Sequence, residues 1–124
     1  MLYAILCYAD EDTVFSWSKE EEGAVMTRLQ AVQKPLAEAG KLGPVGRLMP
    51  TTAAATLRKG KSEPFVVDGP YAETKEQLLG FYVVDFNSLD EAVSFSKELA
   101  AANPGAGAYE IRPFYVFRPG ENPT

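Results

Sequence analysis

Histidine is absent from this 124-residue chain. Without an imidazole there is no Ser–His or Cys–His nucleophile pair and no zinc site of the usual kind. Cysteine occurs once, which excludes an internal disulfide and a thiolate metal cluster. Basic residues are sparse: 12 Lys+Arg against 17 Asp+Glu give a formal charge of −5. Direct nucleic-acid binding needs clustered Lys and Arg to displace counterions, and this balance argues against it. The longest apolar runs fall far short of the roughly 18 residues that span a bilayer. Met1–Tyr8 is apolar but lacks a basic flank and a small-residue cleavage site, and Asp10-Glu11-Asp12 follows at once. Asn122-Pro123-Thr124 has the outline of a glycosylation sequon, but the central proline excludes it. A cytoplasmic protein with no membrane contact is the simplest expectation.

What is present reads as an ordinary globular chain. Hydrophobic residues make up 46% and charged residues 23%, unlike a disordered sequence. One domain fits this length, and two would each be too small to bury a good core. We expect a single domain over residues 1–118 and a mobile tail over 119–124.

Leu2–Tyr8 is rich in aromatic and branched residues and predicts a strand. Ala9–Thr13 is a polar break. Ser18-Lys19-Glu20-Glu21 forms a capping box that starts a helix. Met26, Leu29, Val32 and Leu36 recur at helical spacing, and Gly40 suits the C-terminal cap. Pro35 is a misfit that should kink or shorten this helix. Lys41–Met49, interrupted by glycine, predicts a weak or bulged strand. Ala53–Lys59 and Pro64–Asp68 read as a hairpin. Gly80–Phe86 is the strongest strand signal. Ser88-Leu89-Asp90-Glu91 is a second capping box, and Leu89, Ala92, Val93, Ser96, Leu99 and Ala100 form the helix face after it. Asn103-Pro104-Gly105 stops that helix. Tyr109–Phe117 is a last strand, with Pro113 marking an edge or bulge. This order predicts an α+β fold of ferredoxin-like type, an antiparallel sheet with two helices on one face.

The strands do not alternate as a half-solvated sheet should. Leu2, Ala4, Leu6 and Tyr8 oppose Tyr3, Ile5 and Cys7 in the first strand, and Tyr82, Val84 and Phe86 oppose Phe81 and Val83 in the strongest one. Two helices cover one face only. The other face would expose more apolar surface than monomers usually carry, so we expect a two-fold homodimer packed sheet to sheet.

The densest polar stretch lies between two strands: Asp68-Gly69-Pro70-Tyr71-Ala72-Glu73-Thr74-Lys75-Glu76-Gln77. With Gly46-Arg47-Leu48-Met49-Pro50, Ala54-Ala55-Thr56-Leu57-Arg58, Ser88-Leu89-Asp90-Glu91-Ala92 and Glu110-Ile111-Arg112-Pro113, it resembles the DGPF branch of the YCII-related family over nearly the whole chain. Tyr71 stands where that branch more often has Phe. The resemblance implies the dimeric α/β-barrel form of the ferredoxin-like fold. In the wider family a His–Asp pair serves cofactor-free acid–base chemistry. This chain has no histidine, and Asp68 alone matches the acid position. The resemblance also implies a second role, a regulatory interaction module associated with an extracytoplasmic-function sigma factor.

The residues themselves leave two readings. Asp68-Gly69-Pro70 is a turn, because Asp bonds local amides, Gly permits positive φ and Pro fixes the next φ. Alternatively Asp68 ends a strand at a pocket mouth and acts as catalytic acid or base. Glu73 and Glu76 would share a face if their segment were helical, and two carboxylates suit a divalent cation; a solvated turn is the simpler account, and no metal or other cofactor is expected. Arg58 and Arg112 would pair with these acids or clamp an anionic ligand. Cys7 reads as an inert core thiol, and Trp17 with Phe15 as a hydrophobic staple. The glycines at 40, 43 and 46 lack both the phosphate-loop lysine and the dinucleotide spacing. The leading expectation is a dimer that binds an unidentified small molecule through Arg58, Tyr71, Glu73 and Arg112, with Asp68 as a candidate catalytic group.

Overall fold

The computed structural model describes residues 1–120. Its elements are β1 (Leu2–Asp10), α1 (Glu11–Val14), α2 (Lys19–Glu38), β2 (Leu42–Arg47), β3 (Ala55–Arg58), β4 (Phe65–Asp68), β5 (Glu76–Asp85), α3 (Leu89–Ala102) and β6 (Gly107–Pro113). Four strands form an antiparallel sheet in the order β2-β5-β1-β6, and β3-β4 is a separate two-stranded hairpin. This is the ferredoxin-like α+β arrangement, with a hairpin inserted between its second and third strands. The inserted hairpin, called the arm below, pairs with no strand of the main sheet.

Helix α2 starts where the sequence says. Ser18 Oγ accepts from the Glu21 amide at 3.1 Å, and Glu21 returns an acceptor to the Ser18 amide at 3.3 Å. Helix α3 uses a variant of this device. Ser88 Oγ accepts from the Glu91 amide, but the Glu91 carboxylate reaches the amide of Asn87 at 2.8 Å. Pro35 does not shorten α2, which runs on to Glu38. Proline removes its own amide and crowds the carbonyl four residues back, and Pro35 stands in the final turn, where few helical bonds follow. Gly40 then takes φ +72°, the left-handed conformation that closes a helix. Arg28 Nε donates to the Ala102 carbonyl at 2.9 Å and ties α2 to the C-terminal end of α3.

Both long helices pack on one sheet face. Tyr3 and Ile5 of β1 and Tyr82 and Val84 of β5 meet Val25, Leu29 and Leu36 of α2 and Ala92, Phe95 and Leu99 of α3. The other face carries Leu2, Ala4, Leu6, Phe81 and Val83, together with Glu110 and Arg112 on β6. The charges at the β6 edge narrow the apolar patch expected from the strands.

Two expectations need correction, and one open alternative closes in favour of the solvated turn. Ala9–Thr13 is no plain break, since β1 continues to Asp10 and α1 follows with the Asp10 carboxylate accepting from the Asp12 amide at 3.1 Å. The last strand ends at Pro113, not Phe117. There the Phe114 amide closes on the Leu2 carbonyl at 3.0 Å, and Phe114 and Phe117 turn together edge to face, their centroids 5.1 Å apart. Glu73 and Glu76 share no helix, because residues 71–75 form a loop and Glu76 begins β5. Of the expected tail, residues 121–124 lie outside the described residues.

Candidate functional site

The strand alternation that builds the core also leaves a cavity. Residues of β1, β2 and β5 line it on the sheet side and residues of α2 on the other. There Cys7, Val45 and Tyr82 face Met26, Leu29 and Gln33 across a cavity of about 240 Å³. Trp17 and Tyr109 complete an aromatic wall. A register shift after Cys7 makes Leu79 the unpaired residue of β5, and Leu79 joins the lining. Two glycines make the close strand approach possible. A Cβ on Gly80 would stand 2.7 Å from the Gly46 carbonyl oxygen, and one on Gly46 would meet the Phe81 ring at 2.7 Å.

The polar groups of the cavity are neutral and few. Gln33 Nε2 donates to the Tyr82 hydroxyl at 3.4 Å, and Asn103 Nδ2 donates to the Tyr109 hydroxyl at 3.3 Å. Asn103 Oδ1 is buried and has no partner among the described residues. The one charged lining residue is Arg47, which is half exposed and bonds Glu22 Oε1 at 3.1 Å. No carboxylate lines the cavity. It can therefore hold and orient a molecule, but it offers no side chain that takes up a proton at neutral pH.

Burial sets the state of these groups. It pushes the Cys7 thiol up to about 12 and, with Cys7 and Tyr109 adding to it, the Tyr82 phenol up to about 12. Burial likewise raises Tyr109. All three stay protonated, so the hydroxyls donate and the thiol is no nucleophile. In the unfolded chain the thiol and phenol ionise near 9.0 and 10.0. Between those values and 12 the unfolded chain binds fewer protons, so the stability from burial is intact below pH 9 and drains away as pH rises toward 12. Melting curves from pH 7 to 11 are expected to show Tm falling above pH 9, with Cys7→Ala flattening part of that fall. A Tm level up to pH 11 would contradict the burial of both groups.

The residues singled out from sequence lie elsewhere. Asp68 is exposed at the end of β4, paired with Ala55, and Gly69 beyond it takes φ +113°. The Gly69 amide donates to the Ala54 carbonyl at 2.8 Å, and its carbonyl accepts from Thr56 Oγ1 at 2.9 Å. This is the turn expected of Asp68-Gly69-Pro70. Arg58 and Tyr71 are brought together: Arg58 Nη2 donates to the Tyr71 carbonyl at 2.9 Å, and its guanidinium stands over the ring at 5.0 Å. Arg58 thus serves Tyr71 instead of an acid. Glu73 is exposed in the following loop, which Gln77 Nε2 ties down through the Ala72 and Thr74 carbonyls. Arg112 sits on β6, opposite Ala4 and at the far edge from β2, and bonds none of the other four. Of the five, Tyr71 lines an open groove of about 890 Å³ beside Met49, Thr51 and Lys75. Glu11 holds this groove's wall by accepting from the Thr51 amide at 2.9 Å and from the Thr51 hydroxyl. Among the described residues no three Cys, Asp or Glu side chains gather to hold a metal ion, and no helix is long and apolar enough to cross a membrane.

The family model for the YCII-related domain matches residues 1–118. The chain belongs to the YCII-related family. An uncharacterized protein of Rhizobium meliloti (strain 1021) is 60% identical to this YCII-related chain over 124 residues, the full length of both. The family gives the fold its context. What the cavity does has to be argued from its own groups.

Proposed function

We propose that this YCII-related protein is a homodimer that binds a small molecule in the cavity between the sheet and α2. The observation that carries the reading is the make-up of the cavity wall. An aromatic and aliphatic enclosure with a few converging polar groups is the usual form of a ligand site. Acid–base catalysis by Asp68 forms no part of the proposal, since that carboxylate is exposed on the arm and outside the cavity wall. The finer assignment to the DGPF branch rests on Asp68-Gly69-Pro70-Tyr71 and the flanking segments.

The test is a thermal-shift screen of a metabolite library on wild type, Val45→Trp and Asp68→Asn. Val45 pairs with Tyr82 on the cavity side and is partly exposed, so an indole there fills the space without crowding the core. A ligand at 100 times its Kd adds about 2.7 kcal/mol, a shift of several degrees. The shift is expected in wild type and Asp68→Asn and is expected to vanish in Val45→Trp. A hit that survives Val45→Trp, or that disappears in Asp68→Asn, places the site elsewhere; a library without hits removes the binding reading.

The homodimer finds support in the arm. Leu57 and Val66 share one of its faces, and Phe65 and Val67 stand on the other, all exposed. A two-stranded hairpin is at best marginal in water on its own, and apolar side chains on both faces call for a cover. A second copy of the chain, seated against the arm and the helix-free face of the sheet, supplies it. The same arm favours one other reading, a regulatory module whose protein partner, such as a sigma factor, takes that place. A wild-type chain that stays monomeric alone would favour this second reading.

A further inference from the structure

We infer that the ligand of the cavity is a compact apolar monocarboxylate, held by Arg47 at the mouth with its body lying over Gly80, a refinement that rests on the reading of the cavity as the binding site. The register of the sheet is the starting point. Arg47 of β2 pairs with Gly80 of β5, Gly80 with Cys7 of β1, and Cys7 with Tyr109 of β6. Register partners stand on one face, so these four form a single row across the sheet. All four line the cavity. The neighbouring row on that face, Val45, Tyr82, Ile5 and Ile111, carries a side chain at every position. The row of Arg47 has a gap, because Gly80 carries none.

The cation at the end of this row borders the cavity with its head group. Arg47 Nη1 bonds Glu22 Oε1 at 3.1 Å and lies 3.6 Å from the sulfur of Met26, itself a lining residue. Its charge also reaches the interior: burial raises the Tyr82 phenol, and the Arg47 guanidinium opposes that rise. Nε and Nη2 make no hydrogen bond among the described residues. A guanidinium holds a carboxylate best through two parallel bonds, and the pair with Glu22 uses one nitrogen. Both side chains of that pair are half exposed, so it is weak. A ligand carboxylate displaces Glu22 because burial of the attached apolar body adds to the ion pair it makes.

Charge and size narrow the class. One lining cation matches one negative charge, and a dianion such as a phosphate monoester would bring a second charge up against the nearby Glu22 carboxylate. Arg47 and Cys7 stand two strand spacings apart, roughly 10 Å, the span of one ring and its carboxylate. A volume of about 240 Å³ is below the roughly 300–1,000 Å³ of pockets for drug-sized molecules, so the ligand is compact. Trp17 and Met26 suit a flat apolar body.

Benzoate and benzamide share one shape and differ in charge. Each is titrated into wild type, Arg47→Gln and Glu22→Gln and followed through backbone amide shifts by NMR. Benzoate is expected to bind wild type about tenfold more tightly than benzamide, with the largest shifts at Cys7, Gly80 and Arg47. Arg47→Gln is expected to bring benzoate down to the affinity of benzamide. Glu22→Gln removes the competing carboxylate, so it is expected to tighten benzoate several-fold and leave benzamide unchanged. An ion pair with a structural role alone would move both variants in the same direction. Both residues are half exposed, so the variants are expected to fold, which their melting curves check. Equal binding of the two probes by wild type, a preference for benzoate that survives in Arg47→Gln, or weaker benzoate binding by Glu22→Gln overturns the carboxylate reading; benzamide shifts along the row then leave the cavity as a site. If neither probe binds wild type, the carboxylate and the cavity readings fall together.

Discussion

Leu99→Ala is expected to lower the free energy of unfolding by about 2–5 kcal/mol, the range for emptying a well-packed leucine site. Leu99 is 0% exposed, and it belongs to the core cluster shared by α3, α2 and the sheet. Its loss removes transfer energy and also opens a void, because β1 and β5 are fixed by their ladder and cannot close in. Urea unfolding should show the midpoint falling by about 1–2 M at an unchanged slope. Leu89→Ala is the control. It sits ten residues earlier on the same helix but is 52% exposed, so a change within about 0.5 kcal/mol is expected. A Leu99 loss below about 1 kcal/mol would contradict the packing of α3 against the sheet.

At micromolar concentration, wild type is expected to scatter light at twice the 13.5 kDa chain mass, and the double variant Leu57→Lys/Val66→Lys at the single mass. The two residues are register partners on one face of the arm, 62% and 65% exposed. Because they are so open, lysines there cost the isolated chain little. In a two-fold dimer the change counts twice, and each buried ammonium lacks a partner, so the affinity should fall by at least a hundredfold. An unchanged melting profile for the variant at low concentration would show that folding is spared. Wild type at the single mass would remove the dimer, and a variant that remains dimeric would remove the arm from the interface.

Much of the fold was open to sequence reasoning because its signals are local. Ser18 with Glu21, Ser88 with Glu91, and the alternation of Tyr3, Ile5 and Cys7 each act within a few residues. Where a distant partner decides, the local pattern is silent. Phe95 lies outside the helix face read from sequence, yet it is buried because Tyr82 and Phe86 of the β5 side meet its ring. The cavity was hidden for the same reason. Trp17 reads as a staple and Asn103 as a helix stop, Gln33 carries no signal of its own, and only the fold brings them to one wall. The polar stretch from Asp68 drew notice because its residues are adjacent, but adjacency in a turn builds no enclosure. Arg112 joined that set on residue type, while the register sends it to the opposite edge.

The strand order also sets a timetable for synthesis. β1 is made first and lies at the centre, but its neighbours are β5 and β6, and β2 likewise waits for β5. Until residue 76 has left the ribosome, no ladder of the main sheet can close. At roughly 5–20 residues per second, β1 waits several seconds for its first partner and longer for its second. In that interval α2 and the arm are the elements whose backbone hydrogen-bond partners have already been made. The apolar β1 and the apolar arm are then exposed on the same nascent chain, so the risk of aggregation is concentrated in the interval before the last strand arrives.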